Sequence, residues 1–168
     1  MIDFDVRVVE SPQVAEIYIS ASPTAKTPIE EQAKQIFSRI RDILISKNAF
    51  IFQERVFATQ SIMQSVCDIR SEIYRDIDDG VAPSCLVCKS GLSGPLAAVQ
   101  VHAVSARCNK EIFHVDQIPY GRILHSPTCR CLGLSNLSAP LLSGRANQIR
   151  AIFEKTESLL KQFGGSLA

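Results

Sequence analysis

Two amphipathic helix patterns, each set between strand patterns, constrain the fold of this chain more than any other feature. The first spans residues 29–46, and its apolar residues recur every three or four positions on one face: Ala33, Ile36, Phe37, Ile40, Ile43 and Leu44. The second spans residues 61–77, with a stripe of Ile62, Val66, Ile69 and Ile73 and a cap expected at Thr59 or Ser61. A helix with one apolar side must bury that side, so both helices are expected to pack on a sheet.

Five segments around these helices have strand character. They are residues 4–9, 15–20, 50–58, 84–89 and 95–106. The glycine-containing turn at residues 90–94 favours an antiparallel hairpin between the last two. The order β-β-α-β-α-β-β predicts an α+β fold, in which one sheet carries both helices on one face.

The C-terminal part of the chain is similar to the opening of this unit. Residues 130–135 resemble residues 15–20, and a helix pattern follows in which Gln148, Ile152, Phe153 and Leu160 align with Gln32, Ile36, Phe37 and Leu44. Chance similarity between two amphipathic helices is the alternative explanation. We predict a domain at residues 1–106, a connector at 107–127 and a partial second repeat at 128–168. The half-unit either completes a sheet in another way or belongs to a longer tandem protein.

Composition excludes several classes of protein. The 168 residues are 46% hydrophobic and 21% charged, which is typical of a globular chain. The net charge of +1 argues against a nucleic-acid-binding protein. No apolar run approaches the length of a membrane span, and the N-terminus lacks the pattern of a signal peptide, so we expect no membrane association and a cytoplasmic location.

Six cysteines raise the question of disulfides or a metal: Cys67, Cys85, Cys88, Cys108, Cys129 and Cys131. In a cytoplasmic chain we expect reduced, buried structural thiols. The Cys85-x-x-Cys88 spacing occurs in zinc sites, but on a strand residues three apart point to opposite faces. We therefore predict no bound metal.

Residues 14–106 resemble the RidA/YjgF family, once labelled endoribonucleases. The matching segments keep the family's order and near-family spacing: residues 16–20, 32–44, 53–58, 62–74, 82–85 and 99–103. The resemblance implies a chorismate-mutase-like α+β fold and a homotrimer with ligand pockets at subunit clefts. It also implies hydrolysis of reactive enamines and imines to keto acids without a cofactor.

The sequence departs from the family at two principal chemical groups. The family's Arg, two positions before a Cys that aligns with Cys85, is replaced by Pro83, which has no side-chain donor. The family's Glu on the last strand aligns with Gln100, which cannot act as a carboxylate base. The family's pocket Ser is kept as Ser20, followed by Ala21 where the family has Gly. Efficient imine hydrolysis is therefore not expected.

A ligand pocket, if retained, is predicted to be lined by Ser20, Cys85, Gln100 and His102. His102 lies two residues from Gln100 on the same face of the strand and is a candidate replacement for the missing base. Arg55, Arg107 and Arg122 are candidates for the missing positive charge, and the sequence does not choose among them. Each pocket residue also has a structural interpretation, such as a turn-capping Ser20 or a buried Cys85 thiol.

The sequence is compatible with two classes of function. The first is a non-catalytic module that binds a small carboxylate, keto or imino metabolite at a subunit cleft, or that serves as a scaffold domain. The second is a hydrolase, either an imine deaminase with a rearranged site or part of a chorismatase. Residues 117–121 and 132–135 are similar to the entry of the second domain of the tandem chorismatases.

Overall fold

The computed structural model describes residues 1–12, 14–24, 27–91, 94–105, 107–126, 129–139 and 141–165. Its elements are β1 (Ile2–Glu10), β2 (Ala15–Pro23), α1 (Ile29–Ser46), β3 (Ala49–Ala58), α2 (Met63–Tyr74), β4 (Ser84–Val87), β5 (Leu96–Ser105), β6 (Asn109–Val115), β7 (Ile118–His125), β8 (Arg130–Leu134) and α3 (Arg145–Phe163). The chain is therefore a mixed α+β protein, and the predicted order β-β-α-β-α-β-β is present in its first 105 residues.

A five-stranded sheet in the order β1-β2-β5-β3-β4 forms the larger layer. Alternation along β2 turns Ile17, Ile19 and Ala21 towards α1 and α2, where all three are buried. Apolar residues of both helices, such as Phe37 and Val66, complete this core. Both helices pack on the same face of this sheet. The opposite face is here called the helix-free face.

The predicted hairpin between the fourth and fifth strands is wrong. β4 pairs in parallel with β3, with Arg55 opposite Ser84 and Val56 opposite Cys85. Since β3 also pairs with β5, it lies between the two expected partners. The α2 crossover returns the chain beside β3, and this parallel pairing replaces the hairpin. Leu92 and Ser93 of the predicted turn lie outside the described residues.

Helix α2 is also shorter than the predicted span of residues 61–77. It begins at Met63 without a side-chain cap, because the hydroxyls of Thr59 and Ser61 bond each other at 3.1 Å. It ends at Tyr74, whose ring is fully buried. The capping prediction is therefore wrong.

Residues predicted to form a connector instead contain two strands. β6 and β7 pair with β8 in a three-stranded sheet, and α3 packs on it around Phe113, Ile123 and Leu159. The boundary residues Ala106, Pro127 and Thr128 lie outside the described residues. The three-part division of the chain stays a prediction.

The predicted second repeat is reproduced only in its element order. β8 leads into α3 as β2 leads into α1. Phe153, however, is 60% exposed, whereas its aligned counterpart Phe37 is 0% exposed. Helices α1 and α3 thus bury different positions of the proposed alignment. An internal repeat stays a prediction.

One buried ion cluster joins the two sheets. The Arg122 guanidinium donates two hydrogen bonds to Asp79, at 2.8 and 2.6 Å, and Lys110 donates a third at 2.6 Å. Arg122 also donates to the carbonyl of Phe52 at 3.4 Å. Burial alone would raise the pKa of Asp79, but the hydrogen bonds and charges of Arg122 and Lys110 outweigh it and lower the pKa to about 2. These contacts place the three-stranded sheet over one end of the helix-free face.

Candidate ligand-binding site

A row of polar side chains crosses the helix-free face at the end that the three-stranded sheet leaves open. Ser20 on β2 lies opposite Gln100 on β5, and Gln100 lies opposite Arg55 on β3. Neighbouring strands are about 4.8 Å apart, so this row spans roughly 10 Å. A hydroxyl, an amide and a guanidinium therefore stand side by side on one surface.

A second row lies one step along the same strands. Tyr18, His102 and Gln53 occupy it in the order β2, β5, β3. The two rows together border a cavity of about 250 Å³. That volume is at the small end of the range for small-molecule sites.

Three neighbours hold the ring of His102. Its Nε2 and the Glu16 carboxylate are 2.9 Å apart, and the Tyr18 ring stacks on it with centroids 4.5 Å apart. The Phe52 ring meets it edge-on at 5.4 Å. These contacts fix the imidazole at the wall of the cavity.

Glu16 also accepts a hydrogen bond of 2.5 Å from the Tyr18 hydroxyl. This bond, with smaller contributions from His102, lowers the pKa of Glu16 against the opposing effect of burial. The same bond raises the pKa of Tyr18. Glu16 is therefore held as a carboxylate, which is the form that orients an imidazole partner.

On the other side of His102, the three-stranded sheet packs against the five-stranded sheet. Gly133 of β8 lies so close to Phe52 that an added Cβ would be 2.9 Å from the ring. Beyond His102 a second, more apolar cavity of about 230 Å³ runs under the three-stranded sheet, lined by Val104, Leu124 and Cys131 among others. His102 thus forms part of the wall of both cavities.

The structure distinguishes the three candidate cations. Arg55 lines the cavity and is exposed, and within the described residues it makes no ion pair. Arg122 is 1% exposed and committed to Asp79. Arg107 lines a different depression, with Glu10 and Asn48. Arg55 is therefore the cation positioned to meet an anionic ligand.

Three of the four predicted pocket residues come together, and the fourth does not. Ser20, Gln100 and His102 border the same cavity. Cys85 lies opposite Val56, a buried residue of the helix side, and lines a separate cleft with Cys67. Cys85 is also exposed, as are Cys129 and Cys131, so the expectation of buried thiols is wrong for these three.

Sequence reasoning missed Glu16, Tyr18 and Gln53. The signal was the alternation of β2 itself, since Glu16, Tyr18 and Ser20 must share a face. Within the described residues, no three His, Cys, Asp or Glu side chains are arranged to hold a metal ion. None of the described helices has the length and apolar character needed to cross a membrane.

Comparisons with known proteins bear on the fold. No family model and no curated protein matches the chain. Among solved structures, a crystal structure of a chorismatase at 1.08 Å resolution is similar, with a TM-score of 0.61 and 9% sequence identity. The similarity covers 97% of this chain and 62% of the chorismatase chain. This chain therefore has the fold of part of a chorismatase.

Proposed function

We propose that this chain is a RidA-like module with a chorismate-mutase-like arrangement that binds a small carboxylate metabolite in the cavity on the helix-free face. The chorismatase likeness supports the fold, and the polar rows support the site. The ligand class comprises small carboxylates, keto acids and imino acids. Chorismate, itself a carboxylate, is the first ligand to test.

The alignment of Arg55, Gln100 and Ser20 across three strands is the observation on which the proposal rests. A guanidinium binds a carboxylate through two parallel hydrogen bonds. The Gln100 amide and the Ser20 hydroxyl add donors and acceptors for a keto or hydroxyl oxygen. Arg55 would then supply, from β3, the charge that is absent at Pro83.

The proposal favours binding over efficient catalysis. Pro83 and Gln100 still stand where the family has its Arg and Glu. A role as the scaffold domain of a longer protein is compatible with such a site. Trimer formation, with the cavity at a subunit cleft, stays a prediction of the family resemblance.

Isothermal titration calorimetry of the full chain with chorismate, and with 2-oxobutanoate as a smaller keto acid, tests the proposal. Arg55→Gln is expected to weaken binding about tenfold or more, because it removes hydrogen bonds to a charged group. Arg107→Gln is the matched control, since this arginine lines another depression. Equal affinities of the Arg55→Gln variant and the unchanged chain would contradict the assignment.

A second candidate function is hydrolysis, and one observation favours it. The Glu16–His102 pair beside the cavity has the geometry that holds an imidazole ready to accept a proton from water. Chorismate turnover and imine hydrolysis, the latter followed by semicarbazide trapping, are the assays. If the chain turns over either substrate, His102→Gln should lower kcat at least 100-fold with little change in ligand affinity. Turnover that survives this substitution would exclude His102 as the base.

A further inference from the structure

Two thiols face each other at the edge of the five-stranded sheet, away from the proposed carboxylate cavity. Cys67 lies on α2 and Cys85 on β4, and their sulfur atoms are 3.6 Å apart. Both are free thiols, Cys85 exposed and Cys67 half-buried. A disulfide bond measures about 2.05 Å, so the sulfurs need to approach by roughly 1.5 Å to join. Van der Waals contact between two sulfurs is the arrangement from which a disulfide forms most directly.

The pair lines a cleft of about 320 Å³ that is open to solvent. Its walls include Gln64 and Ser71 of α2, Pro83 before β4, and Asn136 after β8. The Cys85 sulfur also lies 3.8 Å from the carbonyl of Pro83. A small oxidant therefore reaches Cys85 without any movement of the sheet.

The charged groups around the pair come from three elements. Arg70 of α2 donates to Glu54 of β3 at 2.5 Å and to Asp78, in the loop after α2, at 3.1 Å. The charge of Arg70 favours a thiolate at position 85, and the charge of Glu54 opposes it. Arg70 pairs with both carboxylates, and the three groups together carry a net charge of −1, so they do not by themselves explain a thiolate at position 85.

Hydrogen bonding between the two thiols decides which one ionises. The hydrogen bond between the thiols outweighs burial to lower the pKa of Cys85 to about 7, since the S–H of Cys67 can donate to a Cys85 thiolate. The same bond is the largest cause of a raised pKa at Cys67, followed by burial. At neutral pH the thiolate is therefore favoured at Cys85 over Cys67.

We propose that Cys85 is an oxidation site for hydroperoxides and that Cys67 is its resolving thiol. In the first step the Cys85 sulfur attacks one peroxide oxygen, an S–O bond forms and the O–O bond breaks. The sulfur is oxidised by two electrons to the sulfenic acid, and the second oxygen of the hydrogen peroxide leaves as hydroxide, which is protonated to water. In the second step the Cys67 sulfur attacks the Cys85 sulfur, the S–S bond forms, and the oxygen leaves with the Cys67 proton as a second water.

A second pair of thiols in the same chain provides an internal comparison. The sulfurs of Cys129 and Cys131 are 3.8 Å apart, so proximity is nearly the same. Burial, followed by the hydrogen bond with Cys129, raises the pKa of Cys131. Both pairs are therefore close enough to form a disulfide, and the Cys67–Cys85 pair is the one that lines the open cleft beside Arg70.

The test uses the full chain, reduced and freed of reductant, with equimolar hydrogen peroxide at pH 7. Samples are quenched with N-ethylmaleimide and mapped by peptide mass spectrometry. The linked Cys67–Cys85 peptide is expected, with a rate that is half-maximal near pH 7 and level above about pH 8. The disulfide is expected to raise Tm by about 5–10 °C. The absence of the linked Cys67–Cys85 peptide, or a rate that still rises in proportion to hydroxide above pH 8, would overturn the proposal.

Serine variants separate the two roles. Cys67→Ser keeps a hydroxyl that can donate to the Cys85 sulfur, and it should leave a Cys85 sulfenic acid that dimedone traps at about five times the labelling of Cys88 or more. Cys85→Ser should abolish both dimedone labelling and the disulfide at this cleft. Cys88→Ser is the matched control and should oxidise at the rate of the unchanged chain. If Cys88→Ser slowed disulfide formation as much as Cys85→Ser does, the assignment would be contradicted. It would also be contradicted if dimedone labelled Cys85 no more than Cys88 in the Cys67→Ser variant.

Discussion

His102 stands between two cavities, and its position depends on side chains from two other strands. Tyr18 of β2 stacks on the ring, and Phe52 of β3 packs against its edge. Glu16 of β2 is 2.9 Å from its Nε2. A ring held in this way keeps one orientation, which either a binding residue or a base requires.

The Glu16–Tyr18 hydrogen bond gives a direct titration test at the residue scale. Glu16 raises the pKa of Tyr18 through this bond, so Glu16→Gln should return the pKa towards the ordinary value of 10.0. Phenol ionisation followed by absorbance at 295 nm measures the change. Tyr74 is distinguishable because burial raises its pKa well above 10.0.

Glu111→Gln is the control for this titration. Glu111 contacts His125 at 2.9 Å on the three-stranded sheet and is remote from Tyr18. It should leave the tyrosine titration unchanged. A Glu16→Gln curve that coincides with that of the unchanged chain would show that the bond is not formed in solution.

Some residues of the site followed from the sequence and others did not. Gln100 and His102 were predicted to share a face because alternation along one strand is a local property. Cys85 was assigned to the wrong face because its orientation depends on a parallel register with β3, residues 55–58. Arg55 was one of three candidates, since only the pairing of β3 with β5 puts it beside Gln100.

At the scale of the elements, β7 and β8 pair because Gly121 and Gly133 let the two strands approach closely. A Cβ on Gly121 would lie 2.1 Å from the carbonyl oxygen of Gly133, a contact with backbone that cannot be relieved by side-chain rotation. A Cβ on Gly133 would meet the side chains of Phe52 and Gln53 at 2.9 and 3.2 Å. Glycine at both positions therefore lets the strands pair and the smaller sheet dock on β3.

Gly121→Ala should consequently lower the free energy of unfolding by about 1–3 kcal/mol or more, as overpacking does. Gly133→Ala should cost less, because side chains yield more readily than backbone. Urea unfolding followed by circular dichroism measures both. Gly165→Ala is the control, since its Cβ would have ordinary contacts no shorter than 3.7 Å. Equal stability of the Gly121 and Gly165 variants would contradict the packing.

Elements with strong periodicity were predicted well. α1 was predicted at residues 29–46 and occupies Ile29–Ser46, because a long apolar stripe is a local signal. The β6–β7 hairpin was missed because its turn is atypical. Asp116 and Gln117 both have positive φ, 52° and 65°, positions where Asn-Gly or Asp-Gly is the usual signal.

At the scale of the whole molecule, the Asp79–Arg122–Lys110 cluster couples the two sheets. Asp79 belongs to the loop after α2, and its two partners belong to β7 and β6. Arg122 is 1% exposed, so its positive charge is compensated by the Asp79 carboxylate rather than by water. Removal of one partner of a buried pair leaves an uncompensated charge.

Asp79→Asn should lower the free energy of unfolding at pH 7 by about 3–5 kcal/mol, as measured in urea. Asp76→Asn, at the exposed pair with Arg41, is the matched control and should change stability far less. Similar stabilities of the two variants would show that the cluster does not couple the sheets.

The dependence of the free energy of unfolding on pH, below about pH 4, also tests the Asp79 cluster. The folded pKa of Asp79, about 2, lies below its ordinary value of 3.8, so its stabilisation is full above pH 4 and is lost as pH falls through about 2. The expected loss is about 2 kcal/mol. Asp79→Asn should remove this part of the pH dependence, and an unchanged acid limb would contradict it.

The site on the helix-free face is tested most directly by NMR spectroscopy of the chain with ¹⁵N-labelled glutamine side chains. Chorismate is expected to shift the side-chain amide signals of Gln53 and Gln100, which border the cavity. Gln64, in the cysteine cleft, is expected to keep its signal, and Arg55→Gln should weaken the response about tenfold or more. Shifts confined to Gln64, or no shift at millimolar chorismate, would contradict the proposed site for this ligand.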